Sequence, residues 1–215
     1  MRRHADDAGP GQEPRRPPHR REARRHDRGA VLTTAPGGRP LGELGVARLG
    51  EVLAARGPGP AAGSTAAVTV SLAAGLATKV AKAAADREAV EELDRLRAKA
   101  LSLADDDVEA FAGFLEERRK PAGGPAAAEA IVQVPADVVT VAVRVAELAA
   151  LLAEEGPDAL TGDAVTAAFL AAAAAESAAM LVGTNIADAG ELADPRVEHV
   201  EERAGHARTL AERLV

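Results

Sequence analysis

The sequence predicts an all-α fold, an Ala-rich antiparallel bundle of five or six helices. Three observations carry that prediction. Alanine is abundant and β-branched residues cluster only in short patches, a composition that favours helix because Ala loses no side-chain entropy there. Apolar residues recur at three- and four-residue spacings, and the strict alternation of a half-buried strand is absent. Gly- and Pro-rich stretches interrupt the pattern at wide intervals, and no helix traverses them.

Residues 1–38 read as a disordered basic tail. The first thirty residues hold nine Arg against five acids and lack the apolar core of a signal peptide. The turn-prone Pro36-Gly-Gly-Arg-Pro40 closes this tail, and residues 39–215 form the helical domain. A first helix spans residues 41–55, with Leu44, Val46, Leu49, Val52 and Leu53 on its apolar side, and stops at Gly57-Pro58-Gly59-Pro60. A second begins after Gly63, with Ser64 or Thr65 as N-cap, and reaches about residue 85. Asp86 caps a long third helix that runs through Leu93, Leu103 and Phe111 to residue 119. After the loop Lys120-Pro-Ala-Gly-Gly-Pro125, a fourth covers residues 126–155 and is interrupted or kinked near Val134-Pro135. Its stretch 138–145 is rich in valine but lies within helical patterning. Gly156-Pro157 separates it from a fifth helix, 163–187, and a sixth covers 194–214.

Composition narrows the function classes. The chain has no Cys, which excludes disulfides, thiolate metal sites and Cys nucleophiles and suits a reducing cytoplasm. Phe111, Phe114 and Phe169 are its only aromatic residues, too few for a base-stacking platform. The whole chain carries −7, so the body beyond the basic tail is more acidic still, which argues against a nucleic-acid partner. Of two apolar runs, 64–78 is too short for a bilayer, and 164–183 carries Glu176 and is mostly Ala; no membrane span is expected. The five histidines, His4, His19, His26, His199 and His206, sit in the tail or on the polar last helix, without metal-site spacing. Helices surfaced by Ala bury little area at roughly 25 cal/mol per Å², so a partner chain is expected to complete the core, most simply in a homodimer.

One carboxylate is out of pattern. Residues 93, 96, 100, 103, 107, 111 and 114 form one helical stripe, and Asp107 is its single charged member. A carboxylate facing a core costs several kcal/mol unless it is paired or used. Asp107 is therefore either a site residue or a structural one, paired with a Lys or Arg or capping an internal helix end. Asp105 and Asp106 point off the stripe and call for solvation only. Lys79 shares a face with Thr65, Val68, Leu72 and Leu76. It fits a partner for Asp107, a ligand for a substrate carboxylate, or a stem that snorkels to solvent. Glu176 shares a face with Val165, Phe169, Ala172 and Met180, as a second inward carboxylate or one facing a dimer partner. Asp163, after Thr161-Gly162, fits a helix N-cap; Asn185 fits a cap or a contact to a ligand's polar edge. The turn Pro58-Gly-Pro-Ala-Ala-Gly-Ser64 opening a helix is either an anion cradle or only a turn.

Taken in order, these pieces resemble the cyclodeaminase/cyclohydrolase family of folate enzymes over residues 41–212. That family includes the C-terminal domain of formiminotransferase-cyclodeaminase and stand-alone methenyltetrahydrofolate cyclohydrolases. Pro58-Gly-Pro-Ala-Ala-Gly-Ser64 is similar to its P-x-P-G-G-G-S, and Asp105-Asp-Asp-Val-Glu-Ala-Phe111 to its D-A-D-A-x-A-F. Val134-Pro135 follows in the family's order. Asp163 falls at the Asp of its Ser-Asp, and Asn185 at the second Asn of its N-V-x-I-N. The resemblance implies an all-α homodimer whose substrate is a tetrahydrofolate derivative, with no permanently bound cofactor. Its reactions are opening of the 5,10-methenyl bridge by water, giving 10-formyltetrahydrofolate, or cyclodeamination of 5-formiminotetrahydrofolate. By position it assigns the chemistry to Asp107 as acid/base or cation stabiliser, with Gly63, Ser64, Asp163 and Asn185 at the substrate.

This chain departs from the family's pattern at several positions. Ala61 and Ala62 replace two loop glycines, where left-handed backbone would be strained and ligand approach blocked. Ala84-Ala-Asp-Arg-Glu88 stands at the family's T-x-G-K-K, with only Arg87 matching, and Gly162, Pro157 and Leu181 replace a Ser and two Asn. These changes leave a second reading open, a diverged and catalytically inactive helical binding module.

Overall fold

The computed structural model of the protein describes residues 39–120, 125–189 and 194–215. The expected basic tail and the start of its closing turn, 1–38, lie outside the described residues, as does most of the loop after the third helix. Among the described residues, a 3-10 turn at Leu41–Glu43 precedes six α-helices. These are α1 (Val46–Leu53), α2 (Ala62–Ala83), α3 (Arg87–Glu117), α4 (Pro125–Glu155), α5 (Thr161–Ala189) and α6 (Arg196–Glu212). The all-α bundle is as expected, and each helix lies near its expected place.

The boundaries differ where local chemistry overrides periodicity. The expected first helix is split, because Gly45 adopts an extended conformation (φ −63°, ψ 147°) between the 3-10 turn and α1. Leu41 is almost wholly buried, and its N–H donates to Asp105 Oδ1 at 2.9 Å. Asp105 thus does more than meet solvent: it ties the 3-10 turn to α3. Asp86 caps α3 as expected, accepting the Ala89 N–H at 3.0 Å. Between α2 and α3 the chain reverses through Ala85, the single non-glycine residue with positive φ (58°) among those described. The Asp86 N–H then donates to Ala81 O at 3.0 Å, closing the end of α2.

From α2 onward consecutive helices run antiparallel, with α2 and α5 packed side by side across α4; α3 flanks α2 and α6 flanks α5. Ala164, Ala167, Ala171, Ala175 and Ala178 on α5 are all fully buried, at the three- and four-residue spacing of one face. Their short side chains allow backbones to approach closely. The buried area comes from the valines of α4, including Val138, Val139, Val143 and Val145, whose stiff side chains fill the layer against them. The valine-rich stretch is therefore helical in a core that needs its bulk.

Ion pairs link the outer helices. Arg144 on α4 grips Glu92 on α3 through Nε at 2.6 Å and Nη2 at 3.0 Å, which holds the Glu92 carboxyl below its ordinary value. Arg196 on α6 reaches Glu129 on α4 at 2.6 Å. Glu176 does not turn inward as a second site carboxylate. It pairs with Arg208 on α6 at 2.7 Å, because α6 covers that side of α5 with a cation.

By length and composition alone, α2 and the segment Asp158–Ala189 are each long and apolar enough to cross a membrane. The run 64–78 is too short by itself, but its helix reaches 22 residues because it continues past Lys79. In both, half or more of the apolar window is buried within the bundle.

The left-handed residue gives a stability prediction. An Ala there costs roughly 1–2 kcal/mol of sterics, while Gly costs about 0.5–1 kcal/mol in unfolded-state entropy. Ala85→Gly should therefore stabilise the protein by about 0.5–1 kcal/mol, read as a rise of about 1–4 °C in the unfolding midpoint.

Candidate active site

The first turn of α2 sets the local problem. A helix leaves its first N–H groups without intrahelical acceptors, and Ala61 at the N-cap has no side-chain oxygen to offer. Ser64 is the third helical residue rather than the cap. The acceptor comes from another helix: Asp107 Oδ2 on α3 takes the Ser64 N–H at 2.8 Å and the Ser64 hydroxyl at 2.7 Å. Asp107 thus caps an internal helix end. It can approach because residue 63 is glycine; a Cβ there would lie 2.1 Å from Oδ1.

That geometry divides the work of the two carboxylate oxygens. Oδ2 is committed to Ser64, whereas Oδ1 makes no hydrogen bond among the described residues and lies beside a cleft of about 120 Å³. Gly59, Ala61, Ala62 and Gly63 form one wall, Asp107 and Phe111 another, and Ile131, Leu181 and Asn185 the third. Asp107 is the one titratable group among these lining residues. Burial pushes its carboxyl above the ordinary 3.8, against the opposing pull of the two Ser64 hydrogen bonds.

Asn185 enters from α5, its Nδ2 donating to the Ile131 carbonyl at 2.5 Å. The cleft therefore gathers Gly63, Asp107 and Asn185, with Ser64 immediately behind. Lys79 and Asp163 are also brought together, but with each other. Lys79 Nζ pairs with Asp163 Oδ2 at the far end of α2, sixteen residues and roughly 24 Å along the axis from Gly63. Lys79 is thus not the partner of Asp107. Asp163 is not an N-cap either, since α5 starts two residues earlier, at Thr161. It sits in the first turn, where the helix dipole favours an anion.

Phe111, Ile131 and Leu181 were not singled out as site residues from sequence. Phe111 lies one turn beyond Asp107, and its place in the apolar stripe suggested core; it is 41% exposed at the cleft. Leu181 lies one turn before Asn185, so i, i+4 pairing from either polar residue is the signal that finds both. The alanines in the turn are not left-handed. Ala61 has φ −141°, and neither it nor Ala62 has positive φ. Their consequence is two methyl groups in the cleft wall. Among the described residues, no group of three or more His, Asp or Glu side chains forms a metal-binding cluster.

The chain is thus an all-helical bundle with one half-buried carboxylate from α3 seated on the N-terminus of α2. The chain belongs to the formiminotransferase-cyclodeaminase family, whose model matches residues 45–204. It is similar to the solved structure of formiminotetrahydrofolate cyclodeaminase from Thermotoga maritima. The TM-score is 0.74 at 25% identity, covering 81% of this chain and 95% of that one. Comparison with curated proteins finds no match.

Gly63→Ala tests the seat directly. The added methyl collides with Asp107, so the carboxylate must leave Ser64 or α2 must shift. We expect a loss of about 1–3 kcal/mol in urea unfolding. Serine at residue 63 should cost at least as much, whereas Gly59→Ala, whose Cβ would meet nothing within 4 Å, should be neutral in the same assay.

Proposed function

We propose that this chain catalyses one-carbon chemistry on tetrahydrofolate. The reaction is closure of 5-formiminotetrahydrofolate to the 5,10-methenyl form with loss of ammonia, or hydrolysis of that methenyl bridge to 10-formyltetrahydrofolate. The observation that carries the reading is Asp107 Oδ1, free of hydrogen bonds, on a cleft whose lining has no competing cation. Family membership and likeness to a solved cyclodeaminase support the substrate class and favour the ammonia-releasing direction.

The chemistry follows from the bridge. In closure, N10 attacks the formimino carbon and its proton passes to the former imine nitrogen; the Asp107 carboxyl gives that nitrogen a second proton, the C–N bond breaks, and ammonia leaves. The resulting carboxylate then faces a delocalised amidinium cation. In hydrolysis, water adds to the bridge carbon as the Asp107 carboxylate takes one of its protons; Asp107 then gives that proton to N5, the bond to N5 breaks, and the remaining hydroxyl proton is released to solvent as the 10-formyl group forms. A carboxyl held above the ordinary range by burial serves both directions. The folate is substrate rather than resident cofactor, and a Cys-free chain in folate metabolism fits a cytoplasmic location.

The test is appearance or decay of methenyltetrahydrofolate absorbance. Wild-type protein should accelerate one of these reactions, and Asp107→Asn should lower kcat/KM by about 100-fold or more. The pH profile separates the directions. Hydrolysis uses the carboxylate, so its rate falls as pH drops through the raised pKa. Ammonia release uses the acid, so its rate falls as pH rises through the same value. An inert wild type with both substrates would refute the reading.

The active form in this proposal is a homodimer formed across α2 and α5. Leu72, Phe169 and Met180 are exposed along these helices, at 63%, 39% and 64%. A two-fold axis near Leu72 pairs residues seven positions either side of it on α2, which sets the partner's Lys79 beside Thr65, near the cleft. That arrangement returns the Lys79–Asp163 pair to the site from the neighbouring chain and supplies a cation for a substrate carboxylate. Sedimentation should report a dimer for wild type and a monomer for Leu72→Glu with Met180→Glu. A wild-type monomer would exclude this arrangement.

A further inference from the structure

Pro135 lies inside α4, ten residues from its start. In an uninterrupted helix the N–H at 135 would donate to the carbonyl of Ile131, but proline has no N–H, so that acceptor is orphaned. Asn185 supplies the missing donor from α5. The orientation of its amide follows from chemistry: a carbonyl can only accept, so the atom facing Ile131 is nitrogen. Asn185 Oδ1 is thereby fixed as the free end. It makes no hydrogen bond among the described residues, and it is not sealed from solvent, since no buried polar side-chain atom there lacks a partner. Ile131 and Asn185 both line the cleft that holds Asp107.

We propose that Pro135 is a positioning residue for ligand recognition: by withholding an N–H from Ile131 it locks the Asn185 amide so that Oδ1 serves the cleft as a fixed acceptor. With Asp107 Oδ1, the cleft's side chains present two acceptors that have no partner among the described residues. Such a pair of acceptors suits a flat ring edge that carries N–H or amino groups. Identification of that ring with the pterin of tetrahydrofolate rests on the functional reading above.

Pro135→Ala is the decisive variant. It restores the backbone N–H, which competes for the Ile131 carbonyl and releases the Asn185 amide. Two readouts separate positioning from mere structure. In ¹⁵N-labelled protein, the Asn185 side-chain NH₂, assigned by its disappearance in Asn185→Asp, should be protected from solvent exchange in wild type and lose protection in Pro135→Ala. Folding should be retained by circular dichroism, because Ala is the better helix former. In turnover of the folate substrate, KM should rise about fivefold to tenfold with kcat within about twofold, the pattern of a lost binding contact. Asn185→Asp, which cannot donate to Ile131, should show at least the same KM change. Unchanged protection in Pro135→Ala, or lost protection with unchanged KM, would overturn the proposal. Failure of wild type to act on or bind a reduced folate would refute the folate reading instead, and the exchange measurement would still decide whether Pro135 holds Asn185.

Discussion

The structure depends on one hydrogen-bonded contact between helices, the Asp107 carboxylate on the first turn of α2. α2 touches α3, α4 and α5, so its start sets the register of the central layer. The Gly/Pro turn before it offers no cap, and a missing cap costs typically about 1 kcal/mol. A cap contributed from a neighbouring helix supplies the acceptor and also pins two helices together at a defined depth. Burial raises the proton affinity of the same group, and the helix N-terminus and Ser64 keep its ionised form accessible. The contact that orders the fold thus also sets the proton affinity of this group.

Close packing by alanine explains the rest of the arrangement. Where Ala faces Ala, the backbones approach and little area is buried, so valine from α4 must fill the layer. The cleft occurs where that packing ends, between the start of α2 and the last turns of α5. There the small residues Gly63, Ala61 and Ala62 face the large Phe111 and Leu181, and the mismatch in volume leaves space. Pro135 adds a second irregularity at the same level of the bundle, and Asn185 answers it.

The helices and their order were legible in the sequence because three- and four-residue periodicity and Gly/Pro punctuation record them directly. Asp107 was legible as an exception to that periodicity, and Asp86 as a cap. What periodicity does not record is a hydrogen bond from a side chain to a distant backbone group. Asp105 on the Leu41 N–H, Asp107 on Ser64 and Asn185 on Ile131 join residues 43 to 64 positions apart. None leaves a mark in local spacing. For the same reason Glu176 could be placed on an apolar face without its cation, Arg208, coming into view. The first helix was overdrawn because an apolar pattern continued through Gly45 while the backbone did not.

The seat at Gly63 has a consequence for how relatives of this chain are to be compared. Since Asp107 holds a helix end, a relative without activity still has reason to keep it, and its retention alone does not mark a working enzyme. The groups that do not hold up the bundle are better witnesses. Phe111, exposed at the rim, and Leu181 in the cleft wall can change without unseating α2. Divergence of substrate should be written there first, on an unchanged scaffold.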